Sequence, residues 1–290
     1  MAQKVIIIGS TGMLGHQVLD FFLEQNDFEI HDIVFRNKRR EESIICDVTD
    51  FTKIQEIIND ISPDYIVNCV GVLIKGSKTS PSNAIKINSF LPHFLVDISE
   101  KIGCKVIHVS TDCVFSGKDG NYVESSFRDA DDIYGRSKAL GEIMSNNHLT
   151  LRTSIIGPEL KENGEGLLHW YLTNNEKTVL GYKNVSWGGV TTYELAKAIH
   201  FSVVNDLNGI WNLTNNKSIS KIDLLALFNT RVNPTFKKVI NQDNSKISNK
   251  SLMSERSIGY QVPNYSQMIN EMFERMKINH HDYPHYKKAM

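Results

Sequence analysis

The first half of the chain alternates short apolar runs with stretches of helical spacing. Lys4–Ile8 is a β-branched run that ends at Gly9, and Glu29–Phe35, Tyr65–Val70, Lys105–Ser110 and Leu149–Ile156 read as further strands. Between them, Met13–Glu24, Asp50–Asp60, Ser82–Ile102 and Ile133–Asn146 repeat apolar side chains at helical intervals. Pro92 is expected to interrupt the third of these helices. Strand and helix in alternation predict an α/β protein built on a doubly wound parallel sheet. The strands are nearly continuously apolar because helices cover both faces of such a sheet. Its ligand lies beyond the carboxyl ends of the strands.

The texture changes near Gly157. Pro158–Gly166 is polar, and Asn205–Asn216 and Thr230–Ser254 are rich in Asn, Ser and Lys. Helical pieces recur at Leu167–Asn174, Thr192–Val204, Lys221–Asn229 and Tyr265–Met276. These features divide the chain into a nucleotide-binding part, residues 1–156, and a smaller, mainly substrate-binding lobe, residues 157–290. Residues 186–204 are expected to pack back on the first part. The tail His280–Met290 holds three of the ten histidines and reads as a frayed, solvated end.

Charge narrows the partners. Lys and Arg number 32 against 33 Asp and Glu, so no basic surplus points to nucleic acid or an anionic membrane. No stretch approaches the roughly 20 apolar residues of a membrane span. The N-terminal apolar run is too short for a signal peptide followed by a cleavage site. Cys46, Cys69, Cys104 and Cys113 lie far apart and form no Cys-x-x-Cys pair. They read as reduced thiols of a cytoplasmic protein, and no residue group is assigned to a metal.

Gly9-Ser10-Thr11-Gly12-Met13-Leu14-Gly15 stands between the first strand and the first helix. In this Gly-x-x-Gly-x-x-Gly run, Gly9 permits the tight turn and Gly12 lets the backbone approach a pyrophosphate. Gly15 lets helix and strand pack closely. Phosphates then meet the free N–H groups and positive end of the helix, so Gly9, Thr11, Gly12, Met13, Leu14 and Gly15 are assigned to cofactor binding. The alternative is a plain glycine turn.

At the end of the second strand, an acidic residue would hold the ribose hydroxyls of NAD. The chain has Phe35-Arg36-Asn37-Lys38-Arg39-Arg40 there, while Asp32 falls within the strand. A guanidinium pairs well with a 2′-phosphate, so Arg36 and Asn37 favour NADPH, with NADH usable. The alternative is a solvated basic loop. Asp47-Val48 is placed near the adenine, and Cys69, Val70 and Gly71 near the nicotinamide ribose.

Tyr134-Gly135-Arg136-Ser137-Lys138 opens a helix, and its i, i+4 spacing sets Tyr134 and Lys138 on one face. A carbonyl reductase needs a proton donor at the oxygen while hydride reaches the carbon. A phenol with pKa near 10 is poorly matched to neutral pH, and a neighbouring ammonium is expected to lower it. Lys138 is also suited to hold the nicotinamide ribose. Thr111 ends the strand Lys105–Ser110 on the same sheet edge, where its hydroxyl can orient a substrate carbonyl. Thr111, Tyr134 and Lys138 are the expected catalytic set.

These residues give the chain its resemblance to the extended short-chain dehydrogenase/reductases. Gly9–Gly15, Ser110–Gly117, Tyr134–Lys138 with Gly141-Glu142, Leu151–Ser154 and Trp187–Thr192 carry it. More narrowly, the chain resembles the dTDP-4-dehydrorhamnose reductase group over roughly residues 1 to 275. The resemblance implies a Rossmann-type fold and NAD(P)H-dependent reduction of the 4-keto group of a nucleotide-activated 6-deoxy sugar, for polysaccharide or glycan precursors. It also implies sugar contacts at Asp112, Cys113 and Trp187, with a turn cap and a core residue as the plain readings of Asp112 and Trp187. The group usually has Tyr where this chain has Cys113 and Asp where it has Ser116, which leaves a dTDP- or UDP-linked relative open as the substrate. Asp112-Cys113 lacks half of the Asp–Glu pair of a 4,6-dehydratase. An epimerase, or a non-catalytic NADP-binding regulatory subunit, are the rival readings. A homodimer is the association allowed for.

Overall fold

The computed structural model describes residues 2–290. Its first part runs β1 (Lys4–Ile8), α1 (Gly15–Gln25), β2 (Glu29–Val34), β3 (Ile44–Ile45), α2 (Phe51–Ile61) and β4 (Tyr65–Asn68). Then come α3 (Ile74–Thr79), α4 (Pro81–Ala84), a π-helical segment Ile85–Phe90, α5 (Leu91–Ile102), β5 (Lys105–Thr111) and a single 3₁₀ turn Asp112–Val114. After these come α6 (Ile133–Leu140), β6 (Leu149–Thr153) and β7 (Ile155–Ile156). The later part contains α7 (Leu167–Thr173), β8 (Thr178–Tyr182), β9 (Val185–Trp187), β10 (Val190–Thr191), α8 (Thr192–Val204) and β11 (Gly209–Asn212). It ends with β12 (Ile219–Ser220), α9 (Lys221–Asn229), β13 (Val239–Asp243), β14 (Ser248–Asn249) and α10 (Tyr265–Ile278).

Seven parallel strands form the central sheet in the order β11-β6-β5-β4-β1-β2-β3. The order reverses at β1, the doubly wound pattern expected from the sequence. Because side chains alternate across a strand, Val5 and Ile7 join one core layer and Ile6 and Ile8 the other. The first layer holds α1, α8 and α10, and the second holds α2 and α5. α8 lies along α1, and β11 follows it into the sheet beside β6. Smaller sheets pair β9 with β12 and β14, and β8 with β13. Among the described residues, no helix is long and apolar enough to cross a membrane.

Four departures from the sequence pattern bear on how the chain packs around the sheet. Asn205–Asn216 reads as polar connection, yet it contains β11, whose Trp211 is buried. Near Pro92 the helix changes from π to α geometry and does not break. The proline occupies the first turn of α5, and the helix widens into the π segment just before it, which makes room for the proline ring and its missing N–H. The helix expected over Ile133–Asn146 stops at Leu140. Gly141 packs against the Asn88 carbonyl so closely that an added Cβ would sit 1.9 Å from it, and Glu142 turns inward.

The fourth correction is the tail, which is neither frayed nor solvated. Two 3₁₀ turns, His280–Asp282 and Pro284–Tyr286, fold it back, and Tyr283, Tyr286 and Ala289 are buried in the larger core. Two aromatic side chains with polar tips explain this: their rings fill apolar space while their hydroxyls find buried partners. The Tyr283 hydroxyl meets His16 Nε2 and Gln17 Nε2 at 2.9 Å each, and Tyr286 Oη meets His169 Nδ1 at 2.8 Å.

Candidate active site

A cavity of about 420 Å³ opens at the carboxyl ends of β1, β4, β5 and β6. Thr11, Gly12, Met13 and Leu14 form its floor on one side, and Cys69, Val70 and Gly71 continue it. Thr111, Asp112, Cys113, Tyr134 and Lys138 form the opposite wall. The structure therefore brings the glycine loop, the end of β4 and the expected catalytic set to one place. Gly9 and Gly15 stand behind the loop. Gly9 has φ +88°, and a Cβ on Gly15 would lie 2.0 Å from the Gly9 carbonyl oxygen, so both positions demand glycine. Among the described residues, no side chain caps the N-terminus of α1.

The basic loop divides into used and free cations. Arg39 binds Asp282 through Nη1 at 2.8 Å and Nη2 at 2.7 Å, and Asp20 at 2.9 Å. Arg40 Nε donates to Asp32 at 2.8 Å. Asp32 is fully buried and also accepts from Ser10 at 2.6 Å and Ser43 at 2.8 Å. Its carboxylate is thus occupied by three donors. Arg36 and Asn37 are exposed, and among the described residues Arg36 meets no carboxylate; its guanidinium rests 4.5 Å from the Phe35 ring centre. Asp47 is exposed and accepts from Thr49, and Val48 packs on the second core layer. Arg36, Asn37, Asp47 and Val48 lie outside the cavity lining.

On the reacting side, α6 is started by Asp132, whose carboxylate accepts from Gly135 N at 2.8 Å. This cap sets Tyr134 and Lys138 into the cavity wall. Thr111 Oγ1 accepts from Cys113 N at 3.1 Å and donates to Asp112 Oδ1 at 3.2 Å. Burial pushes the Tyr134 phenol above its usual value, with Cys113 adding to the shift and the Thr111 hydroxyl opposing it. This corrects the expected lowering by Lys138. Lys138 Nζ is directed instead to the Val109 carbonyl at 2.7 Å and His108 Nε2 at 3.3 Å. The ammonium is itself depressed to about 8, chiefly by burial.

Asp112 is buried, which raises its carboxyl, while Lys250 and Lys221 act against that rise. Burial raises the Cys113 and Cys69 thiols to about 12 each. Both are neutral at physiological pH. Trp187 is buried and does not line the cavity. Its Nε1 donates to Ser154 Oγ at 2.9 Å, and Ser154 does line it.

Sequence reading overlooked part of the wall. Thr153, Ser154, Glu159, Leu160, Lys161, Glu165 and Gly166 belong to the cavity. The position of Ser154 at the end of a parallel strand was the available signal. Glu159 is set by the packed tail: its N–H donates to Tyr286 Oη at 3.2 Å, and its carboxylate accepts from Gly166 N at 2.7 Å. Glu142, behind Tyr134 and Lys138, accepts from Arg152 Nε at 2.8 Å and Nη2 at 2.6 Å and from Ser110 Oγ at 2.7 Å. Ser110 is thereby committed to the frame, while Thr111 lines the cavity beside it.

Known proteins share this architecture. The chain is 30% identical over 143 residues to the probable low-salt glycan biosynthesis reductase Agl14 of Haloferax volcanii, across 47% of this chain and 46% of that protein. It is 29% identical over 148 residues to methionine adenosyltransferase 2 subunit beta of Bos taurus, across 50% of this chain and 44% of that protein. The chain thus spans about half the length of the curated relatives it matches. A crystal structure of dTDP-4-dehydrorhamnose reductase from Bacillus anthracis in complex with NADP superposes with a TM-score of 0.80. It has 20% identity and covers 95% of this chain and 100% of that one. The RmlD substrate binding domain model matches residues 3–290, nearly the whole length, and the chain belongs to that family.

Proposed function

We propose that this protein reduces the 4-keto group of a nucleotide-activated 6-deoxy sugar with NADPH, as a step toward polysaccharide or glycan precursors. The observation that carries this reading is the meeting of Thr111, Tyr134 and Lys138 with the glycine loop around one cavity. The uncapped start of α1, the glycine-only turn and an Arg36 that meets no carboxylate among the described residues fit a dinucleotide with a 2′-phosphate. The occupied, buried Asp32 disfavours recognition of free ribose hydroxyls, although NADH remains usable.

NADPH, when bound, supplies the hydride. Thr111 orients the substrate carbonyl, and Tyr134 gives its proton to the oxygen. A phenol held above its usual pKa stays protonated at neutral pH, the form a donor requires. Lys138 carries the positive charge that favours the phenolate left behind, and holds the nicotinamide ribose. Asp112 and Cys113 face the sugar. The Cys113 thiol offers no phenolic contact, which favours a relative of dTDP-4-dehydrorhamnose, dTDP- or UDP-linked. The four free thiols agree with a cytoplasmic setting. Exposed Ile85 and Phe90 on the π segment, Leu140 at the end of α6 and Met144 in the loop after it give a homodimer a surface to use.

The test is to mix the protein with NADPH and a panel of dTDP- and UDP-linked 4-keto-6-deoxy sugars and follow nicotinamide absorbance. Stoichiometric oxidation of NADPH is expected with at least one of them. Sugar isomerisation without net oxidation would identify an epimerase instead. Likeness to the methionine adenosyltransferase 2 subunit beta favours a second reading, a non-catalytic NADP-binding subunit. Tight NADPH binding without turnover of any sugar would support it.

A further inference from the structure

Behind the cavity wall a buried chain of polar groups leads away from Lys138. Asn68 ends β4 and His108 lies on β5, directly opposite it in the parallel register. Both are fully buried. Asn68 Oδ1 accepts from Val70 N at 3.1 Å, which fixes the direction of the amide. Its NH₂ group therefore faces His108 Nδ1, at 3.2 Å. His108 Nε2 faces Lys138 Nζ at 3.3 Å.

The proton count along this chain is constrained. A buried imidazole beside a lysine is neutral, and burial, Lys138 and His93 all depress its basicity. A neutral ring has one donor and one acceptor nitrogen. The Asn68 NH₂ needs an acceptor, so Nδ1 is unprotonated and Nε2 carries the hydrogen. Nε2–H then points at Lys138 Nζ. A neutral amine can accept that hydrogen while still donating to the Val109 carbonyl, whereas an ammonium cannot accept it.

We propose that Asn68 and His108 are positioning residues, which hold the ring in the Nε2–H tautomer and so weaken the hold of Lys138 on its third proton. The pair sets the upper pH limit of the reaction. Other groups face Lys138 too. Tyr134 and Glu142 do so from its own segment, Cys69 from the end of β4, and Asp112 and Cys113 from the turn after β5. Lys75, Lys78 and Lys86, on elements packed against α6, are exposed. Glu142 leads the groups that pull the other way, ahead of Cys69, and two arginines already engage it. The kinetic part of the inference rests on the reductase reading; the tautomer does not.

Two measurements test it. In ¹⁵N-histidine-labelled protein without cofactor, His108 Nδ1 should resonate as the unprotonated nitrogen and Nε2 as the protonated one. Loss of the signals in His108→Gln, or their exchange in Asn68→Asp, assigns them. The carboxylate that Asn68→Asp introduces would accept from Nδ1–H and turn a bare Nε2 toward the ammonium. The basic limb of the kcat/KM profile for NADPH oxidation should therefore move up by about one pH unit in Asn68→Asp, and in the same direction in His108→Gln. A protonated Nδ1 in the wild-type protein would overturn the tautomer whether or not any sugar is turned over. An unmoved basic limb in a folded, active variant would overturn the tuning role.

Discussion

Tyr134 holds its proton more tightly than a free phenol, and its chemistry depends on that. Tyr134→Phe removes the donor but leaves the ring and the cofactor wall. It should keep NADPH affinity, measured by fluorescence titration, and lower kcat at least ~100-fold. Lys138 titrates near 8, so activity should fall as pH rises through that value and the phenolate loses its cation. Arg36→Ala should weaken NADPH roughly tenfold or more by losing a charge-assisted phosphate bond, and should leave NADH nearly unchanged; equal losses would remove that role. The three reacting residues were legible because their meaning is local: a strand end, a helix start and an i, i+4 spacing. Asn68, His108 and Glu142 were not, because each acquires its role from a partner 32 or more positions away along the chain, or from Arg152 on a neighbouring strand.

At the scale of elements, strands and helices with strong periodicity appear where the pattern placed them, and Thr192–Val204 and Lys221–Asn229 match to the residue. Failures occur where a tertiary partner overrides a weak local signal. Gly209–Asn212 becomes a strand because β6 offers an open edge. Ile133–Leu140 ends early because Gly141 is drawn onto Asn88 and Glu142 onto Arg152. The tail is the largest case, since neither hydroxyl partner of Tyr283 could be guessed from local sequence. Tyr283→Phe strips a buried partner from both His16 and Gln17. It should cost about 1–3 kcal/mol, visible as a lowered midpoint in thermal or urea unfolding. A Gly15→Ala variant tests the same first turn of that helix. With a Cβ 2.0 Å from the Gly9 oxygen, it should lose NADPH binding in a titration that wild type saturates.

For the whole molecule, the doubly wound sheet was legible and the closing of the tail over it was not. That closing buries His16, whose imidazole is depressed to about 4 from 6.5, first by burial. The unfolded chain therefore binds a proton more readily than the folded one between those values. Stability should be full above pH 6.5 and fall as pH drops toward 4, by as much as ~3 kcal/mol from this group. Buried, neutral His108 acts in the same direction. Thermal unfolding across pH 7 to 4 should show the loss, and His16→Gln should flatten it.

The bond between His16 and Tyr283 joins positions 267 residues apart. A ribosome adding roughly 5–20 residues per second needs on the order of ten seconds to a minute to make that stretch. During that interval the first helix, already synthesised, has a buried histidine without its neighbour. The glycine loop is made well before the residue that supports it, so a nascent chain should acquire its full grip on a dinucleotide only as synthesis nears Tyr283.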